Sequence, residues 1–320
     1  SIKSMFKITY FLVFQVTSAD LAPSKQLNDY HNIPIIALGT SGDSYDMLKM
    51  RQTINWAVEA GYRHIDTAAM YGVESQIGQG IQDVIDRGLV KRGDLFITTK
   101  LSNDRHERYQ VEQALRESLA RLNLNYVDLY LVHFPTASYP DGTVQVIDYL
   151  ETWQGMEDVK RKGLARSIGV SNFDRQQIDR LLANSKIPPA VNQIEVNPTF
   201  TNQDLVSYCQ ELGITVMGYS PFGFLVTREN HYFVPPSADD PALVKIARKY
   251  GKTVTQIVLR YQVCKSLLLH KCESEFFVCV FVTISSLNGS VWHTDFQGTE
   301  ENIGCFFMSE FPLELRNLWG

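Results

Sequence analysis

The amino-acid sequence predicts an α/β fold in which strand–helix units close into a parallel (β/α)8 barrel. Three observations carry this expectation. Short β-branched runs alternate with amphipathic segments at intervals of about 30 residues from residue 33 onward, the mark of βα units and a parallel sheet. No Gly-x-Gly-x-x-Gly turn follows the first strand, as an open dinucleotide-binding sheet would require. The nearest candidate, Gly72 to Gly80, has the wrong spacing and lies beside a helix. Finally, polar residues end strand after strand: Asp66, Lys100, His133, Ser171, Asn197 and Ser220. A closed barrel gathers such residues at one mouth.

The N-terminus reads first as a leader. Met5 and Lys7 precede the apolar run 8–16 and then Thr17-Ser18-Ala19. A positive residue, a short apolar core and small residues form a signal-peptide pattern, and the run is too short to span a bilayer. Residues 1–19 are therefore expected to be removed, with Met5 as the start and the mature chain beginning near Asp20. This predicts a secreted, extracellular protein, which N-terminal sequencing of secreted material checks. A mistranslated or disordered leader, and a cytoplasmic protein, is the alternative.

The barrel body is expected over residues 20–263. Its strand candidates are Arg63 to Ala68, Leu95 to Lys100, Val127 to His133, Ala165 to Ser171, Val191 to Asn197 and Thr215 to Pro221. Helices between them show apolar residues at i, i+3 and i+4, as in Ile54/Ala57/Val58, Ile77/Ile81/Val84/Ile85 and Val111/Leu115/Leu119/Leu122. Gly61, Gly88, Gly163 and Gly213 fall where helices should stop. Asp240-Pro241 reads as N-cap and first helical residue, and Thr253 with Gln256 as a capping box. Cys209 lies on the apolar face of a helix and reads as a packed core thiol.

After Tyr261 the composition shifts to an aromatic and β-branched run holding four of the five cysteines. Leu267 to His270 and Phe276 to Ile284 compete for the eighth strand, which leaves the last βα unit uncertain. Residues 264–320 read as an anomalous tail, expected to reflect intron read-through or a frameshift; transcript sequencing is the check. Within it, Asn288-Gly289-Ser290 is a glycosylation sequon that matters only in a secreted chain.

Bulk properties narrow the function. The 320 residues are 44% hydrophobic and 20% charged, with net charge -5. This is a globular composition without the basic surface that nucleic acid requires or a polybasic membrane anchor. The cysteines show neither a disulfide framework nor metal-ligand spacing, so no metal is expected.

The strand-end residues suit carbonyl reduction by a nicotinamide. That reaction takes hydride from the cofactor, a proton from an acid and a dipole to stabilise the developing oxyanion. A tyrosine can be the acid where a buried lysine favours its phenolate, and a carboxylate must then hold the lysine. Asp66, Tyr71, Lys100 and His133 place these four types on three adjacent strand ends.

Several long segments resemble the aldo-keto reductase family: GYRHIDTAAMYGVESQIGQGI (61–81), ITTKL (97–101), LNYVDLYLVHFP (124–135), SIGVSNF (167–173), NQIEVNP (192–198) and YSPFG (219–223). Their order and spacing match over residues 33–263. The family's fold is the (β/α)8 TIM barrel, in agreement with the pattern above. The resemblance implies Tyr71 as general acid, Lys100 as the cation beside it, Asp66 as the partner of Lys100, and His133 as hydrogen-bonded to the substrate oxygen. It places Ser171, Asn172 and Gln193 on the nicotinamide carboxamide and Tyr219 against the nicotinamide ring. Ser220 and Phe222 fall in the pyrophosphate loop, and Thr40 near cofactor and substrate. It implies NADPH as cofactor, a small-molecule carbonyl substrate and a monomer.

Within the family, His133 favours carbonyl over double-bond reduction, and Ser102 replaces a common Trp, which implies an altered, wider pocket. The body most resembles the insect 3-dehydroecdysone 3β-reductases, secreted enzymes acting on a ketosteroid. The chain departs from the family where the adenosine 2′-phosphate is gripped. LLHKCES replaces the usual Pro-Lys-Ser stretch, Lys271 stands near the expected lysine, and Glu301-Asn302 lacks an arginine three residues before it. A catalytically defective splice or frameshift product, or a non-catalytic steroid- or cofactor-binding barrel, is the alternative. A barrel glycosidase would need two facing carboxylates. Asp66 is committed to Lys100, which leaves Glu195 without a partner.

Overall fold

Alternation of side chains between two apolar environments builds this molecule. The computed structural model describes residues 23–41, 47–223, 239–265 and 279–283. A short antiparallel hairpin, β1 (Ser24–Gln26) and β2 (Asn32–Pro34), comes first. The barrel strands are β3 (Ile36–Gly39), β4 (His64–Asp66), β5 (Phe96–Leu101), β6 (Val127–Val132), β7 (Ala165–Ser171), β8 (Val191–Glu195), β9 (Thr215–Tyr219) and β10 (Cys279–Thr283). All neighbours pair in parallel, and β10 closes the ring between β9 and β3.

The helices are α1 (Met47–Glu59), α2 (Glu74–Asp86), α3 (Arg108–Leu122), α4 (Tyr149–Arg161), α5 (Arg175–Asn184), α6 (Gln203–Glu211), α7 (Pro241–Tyr250) and α8 (Val254–Lys265). Among the described residues no helix is long and apolar enough to cross a membrane.

Strands covered on both faces read as continuous apolar runs. All six residues of β5 and of β6 are buried. Phe96, Leu129, Leu131, Val191 and Met217 fill the barrel interior in one cluster. Ile97, Tyr130, Val132 and Ile168 face outward and pack under the helices in another. The parity of each strand therefore decides which residues reach the mouth. His133 continues the inward series of Leu129 and Leu131, Gln193 that of Val191, and Tyr219 that of Met217.

The hairpin stoppers the N-terminal end of the barrel. Its Leu27 and Ile33 join the interior cluster. Asn28 Nδ2 donates to Pro189 O at 2.9 Å, and Asp29 pairs with Lys160 at 2.6 Å.

The expected helix signals stand. Gly61, Gly88, Gly163 and Gly213 all have φ between 70° and 95°. Asp240 accepts from the amides of Ala242 and Leu243, with Pro241 as first helical residue. Thr253 and Gln256 exchange the two bonds of a capping box. Cys209 is buried, and burial pushes its thiol up to about 11. The Gly72–Gly80 run packs helices instead of cradling phosphate. A Cβ on Gly78 would lie 2.6 Å from the Leu122 carbonyl oxygen of α3, and one on Gly80 2.7 Å from Ile54 Cβ of α1.

The eighth strand lies inside the second of the two competing runs, beyond the composition shift after Tyr261. The edges of β3 and β9 are thus paired where loss of a last strand would have left them open. The leader, Lys271, the sequon and Glu301-Asn302 lie outside the described residues.

Candidate active site

Lys100 anchors the mouth. It is fully buried, and its ammonium donates to Asp66 Oδ1 at 2.5 Å, Thr67 O at 3.1 Å and the Tyr71 hydroxyl at 3.2 Å. Three acceptors use all three N–H bonds, which a desolvated ammonium needs. Desolvation pulls the Lys100 pKa down. Asp66 and Tyr71 outweigh it, and the net shift is upward. Burial pushes the Asp66 carboxyl up to about 6 against the pull of Lys100 and Gln193. Gln193 Nε2 donates to its second oxygen at 3.1 Å. Thr67 contributes only a backbone oxygen, a role the identity of its side chain does not signal.

Tyr71 ends a 3-10 turn, Ala69–Tyr71, directly after β4. Its ring meets His133 edge-on with centroids 5.6 Å apart. His133 also stacks on the next residue, Phe134, at 5.0 Å. Burial, followed by the charge of Lys100, lowers the His133 pKa to about 3. The imidazole is therefore neutral at physiological pH, and its buried Nδ1 takes no hydrogen bond from or to the described residues.

A second group adjoins the first. The Ser171 hydroxyl donates to Gln193 O at 2.9 Å. Asn172, in the left-handed region at φ 62°, donates from Nδ2 to His133 O at 3.0 Å and to Ser171 Oγ at 3.1 Å. Its Oδ1 accepts from the Tyr219 hydroxyl at 2.9 Å. A hydroxyl, two carboxamides and an aromatic ring thus meet beside the Lys100 group. Amide donors and acceptors next to an aromatic face are what a carboxamide-bearing aromatic ring requires.

The chain belongs to the aldo/keto reductase family. The sequence profile of the family matches residues 35–288. Aldo-keto reductase AKR2E4 of Bombyx mori is 58% identical over 253 residues, covering 77% of this chain and 82% of that protein. Aldo-keto reductase family 1 member A1 of Gallus gallus is 40% identical, covering 72% and 73%. The crystal structure of the Bombyx mori AKR2E4 complex with NADP superposes with a TM-score of 0.82 at 49% identity, covering 92% of this chain and 91% of the other. The AKR2E5 complex with NADPH gives a TM-score of 0.76 at 44% identity, covering 82% and 79%. The family's enzyme class, oxidoreductase, and its barrel follow.

The structure brings Asp66, Tyr71, Lys100, His133, Ser171, Asn172, Gln193 and Tyr219 together. Thr40 is adjacent, its hydroxyl donating to Asp66 O at 2.9 Å. Ser220 and Phe222 stand apart from this hydrogen-bonded group. They form a tight turn in which Ser220 has φ 50° and Gly223 N donates to Ser220 O at 2.9 Å. Gln262 of α8 braces the turn from behind, donating to Val196 O and Pro221 O. Asn197, the remaining strand-end residue, shapes its own loop by accepting from the amides of Thr199 and Phe200.

Proposed function

We propose that this enzyme reduces a ketone or aldehyde carbonyl with NADPH, with Tyr71 as general acid. The observation that carries the reading is the buried chain from Asp66 through Lys100 to the Tyr71 hydroxyl, set beside a neutral His133. NADPH supplies the hydride when bound, and the Ser171 hydroxyl and the Asn172 and Gln193 carboxamides, with the Tyr219 ring, fit its nicotinamide end.

The chain's own residues do the rest. Lys100 donates to the phenolic oxygen of Tyr71, so the tyrosine's own proton is directed elsewhere, to the substrate oxygen. The oxyanion left on Tyr71 then meets the buried Lys100 ammonium 3.2 Å away. Asp66 holds that ammonium in place. His133 donates one hydrogen bond to the substrate oxygen and orients the carbonyl.

The preferred substrate is a bulky ketosteroid such as 3-dehydroecdysone. The motif resemblance supports this, as do the small Ser102 and the exposed apolar residues Met70, Phe134, Tyr139 and Val146 in loops following β4 and β6. We further propose a secreted monomer, supported by the leader pattern and by a site built from one barrel.

The test follows nicotinamide absorbance with 3-dehydroecdysone and with a simple aldehyde. Tyr71→Phe should lower kcat at least about 100-fold while quenching of NADPH fluorescence still reports cofactor binding. Full turnover by Tyr71→Phe would overturn the acid assignment. Turnover of the aldehyde alone would overturn the steroid assignment.

A further inference from the structure

Behind the reaction centre, on the outward face of β5, lies a second polar group that the reaction itself does not use. Thr99, one residue before Lys100, donates its hydroxyl to Glu74 Oε1 at 2.7 Å. Arg121, near the end of α3, donates from Nε to Glu74 Oε2 at 2.7 Å and forms an ion pair with it, Nη2 lying 2.7 Å from the same oxygen. Arg121 Nη2 also donates to Ser118 Oγ at 3.0 Å. Glu74 is 1% exposed and opens α2, three residues after Tyr71. A carboxylate taken this far from water is stable only with such partners.

The turn that carries Tyr71 has little holding it from within. Its backbone bonds, Tyr71 N to Ala68 O and Gly72 N to Ala69 O, are 3.1 and 3.3 Å long. No side chain caps either the 3-10 turn or α2. Gly72, at φ 70°, adds freedom where the turn meets the helix. Glu74 is the first point downstream at which the segment is tied by side chains, and one of its ties is to the residue beside Lys100.

We propose that Glu74 is a positioning residue. By bridging Thr99 and Arg121 it fixes the Tyr71 turn against the Lys100 strand and so sets the distance from hydroxyl to ammonium. The inference rests on Tyr71 being the acid. Small displacements of a catalytic group cost up to about 100-fold in rate.

Thr99→Val removes only the strand-side bond, and Glu74→Gln removes the charge while keeping an acceptor. Each is measured for thermal midpoint, NADPH affinity by fluorescence quenching, and kcat and KM. Both should fold and bind NADPH within about twofold of the parent. Their kcat should fall about 10- to 100-fold with KM moving less than about threefold. On the residual rate of Tyr71→Phe, adding Thr99→Val should cost nothing further, since the effect runs through Tyr71. An unchanged kcat in Thr99→Val, or an equal loss in both backgrounds, overturns the proposal. If Glu74→Gln fails to fold, Thr99→Val decides alone. Full rate in Tyr71→Phe overturns the acid assignment, whereas full rate in Thr99→Val beside an impaired Tyr71→Phe overturns only the role of Glu74.

Discussion

Among the described residues three histidines are buried without a charge. His64 sits inside the barrel between Pro34 O and Thr98 Oγ1, and burial lowers its pKa to about 3. His106 and His133 are lowered by burial to about 4 and about 3. In the unfolded chain a histidine titrates near 6.5. Below that pH the unfolded state takes up protons that the folded state refuses, so stability falls as pH falls. Each such histidine costs about 2 kcal/mol between pH 7 and pH 5. Urea unfolding of His64→Asn at the two pH values should therefore show a loss about 2 kcal/mol smaller than the parent's. An unchanged difference would mean that His64 is protonated in the folded protein. The same neutrality lets His133 donate a hydrogen bond without adding a second cation beside Lys100.

At the scale of elements, helix spacing is set by missing side chains. Gly78 and Gly80 let α2 approach α3 and α1 until backbone meets backbone or Cβ. Alanine would improve helix propensity by about 1 kcal/mol, but a Cβ on Gly78 would strike the Leu122 carbonyl, which cannot rotate away. Overpacking costs about 1–3 kcal/mol, so Gly78→Ala should lower the thermal midpoint by several degrees; a rise would show that α3 yields.

Strand parity and helix signals made most elements legible. Ala165–Ser171 has the bounds expected, while the strands ending before Ala68, His133, Asn197 and Pro221 stop earlier than their apolar runs. At those ends the chain leaves the ladder to present side chains at the mouth. The hairpin β1–β2 is not legible in the sequence, because its residues are mostly polar and its register depends on the turn. The mouth residues were legible as strand ends, but the Glu74 bridge was not. A buried carboxylate and a surface one look alike in sequence, and Arg121 lies 47 residues away.

For the whole molecule, closure depends on five residues from an otherwise unusual stretch. Cys279–Thr283 pairs along all of β3 and with Met217 and Gly218 of β9. Ending the chain before residue 279 would leave two parallel edges unpaired, a template for association. Such a chain should lose soluble yield and its cooperative melting transition. A truncated chain that stays soluble and melts at the parent's temperature would mean that the ring does not need its last strand.

That closing strand also imposes a timetable. Ile36 pairs with Val280, so the first barrel strand leaves the ribosome long before its final neighbour exists. At about 5–20 residues per second, the 244 residues from 37 through 280 take about 12–50 s to synthesise. Throughout that interval the open edge of β3 is available to any other strand in the cell. The newborn chain thus passes through a stage in which its first barrel strand must wait, one edge unpaired, for a neighbour not yet made.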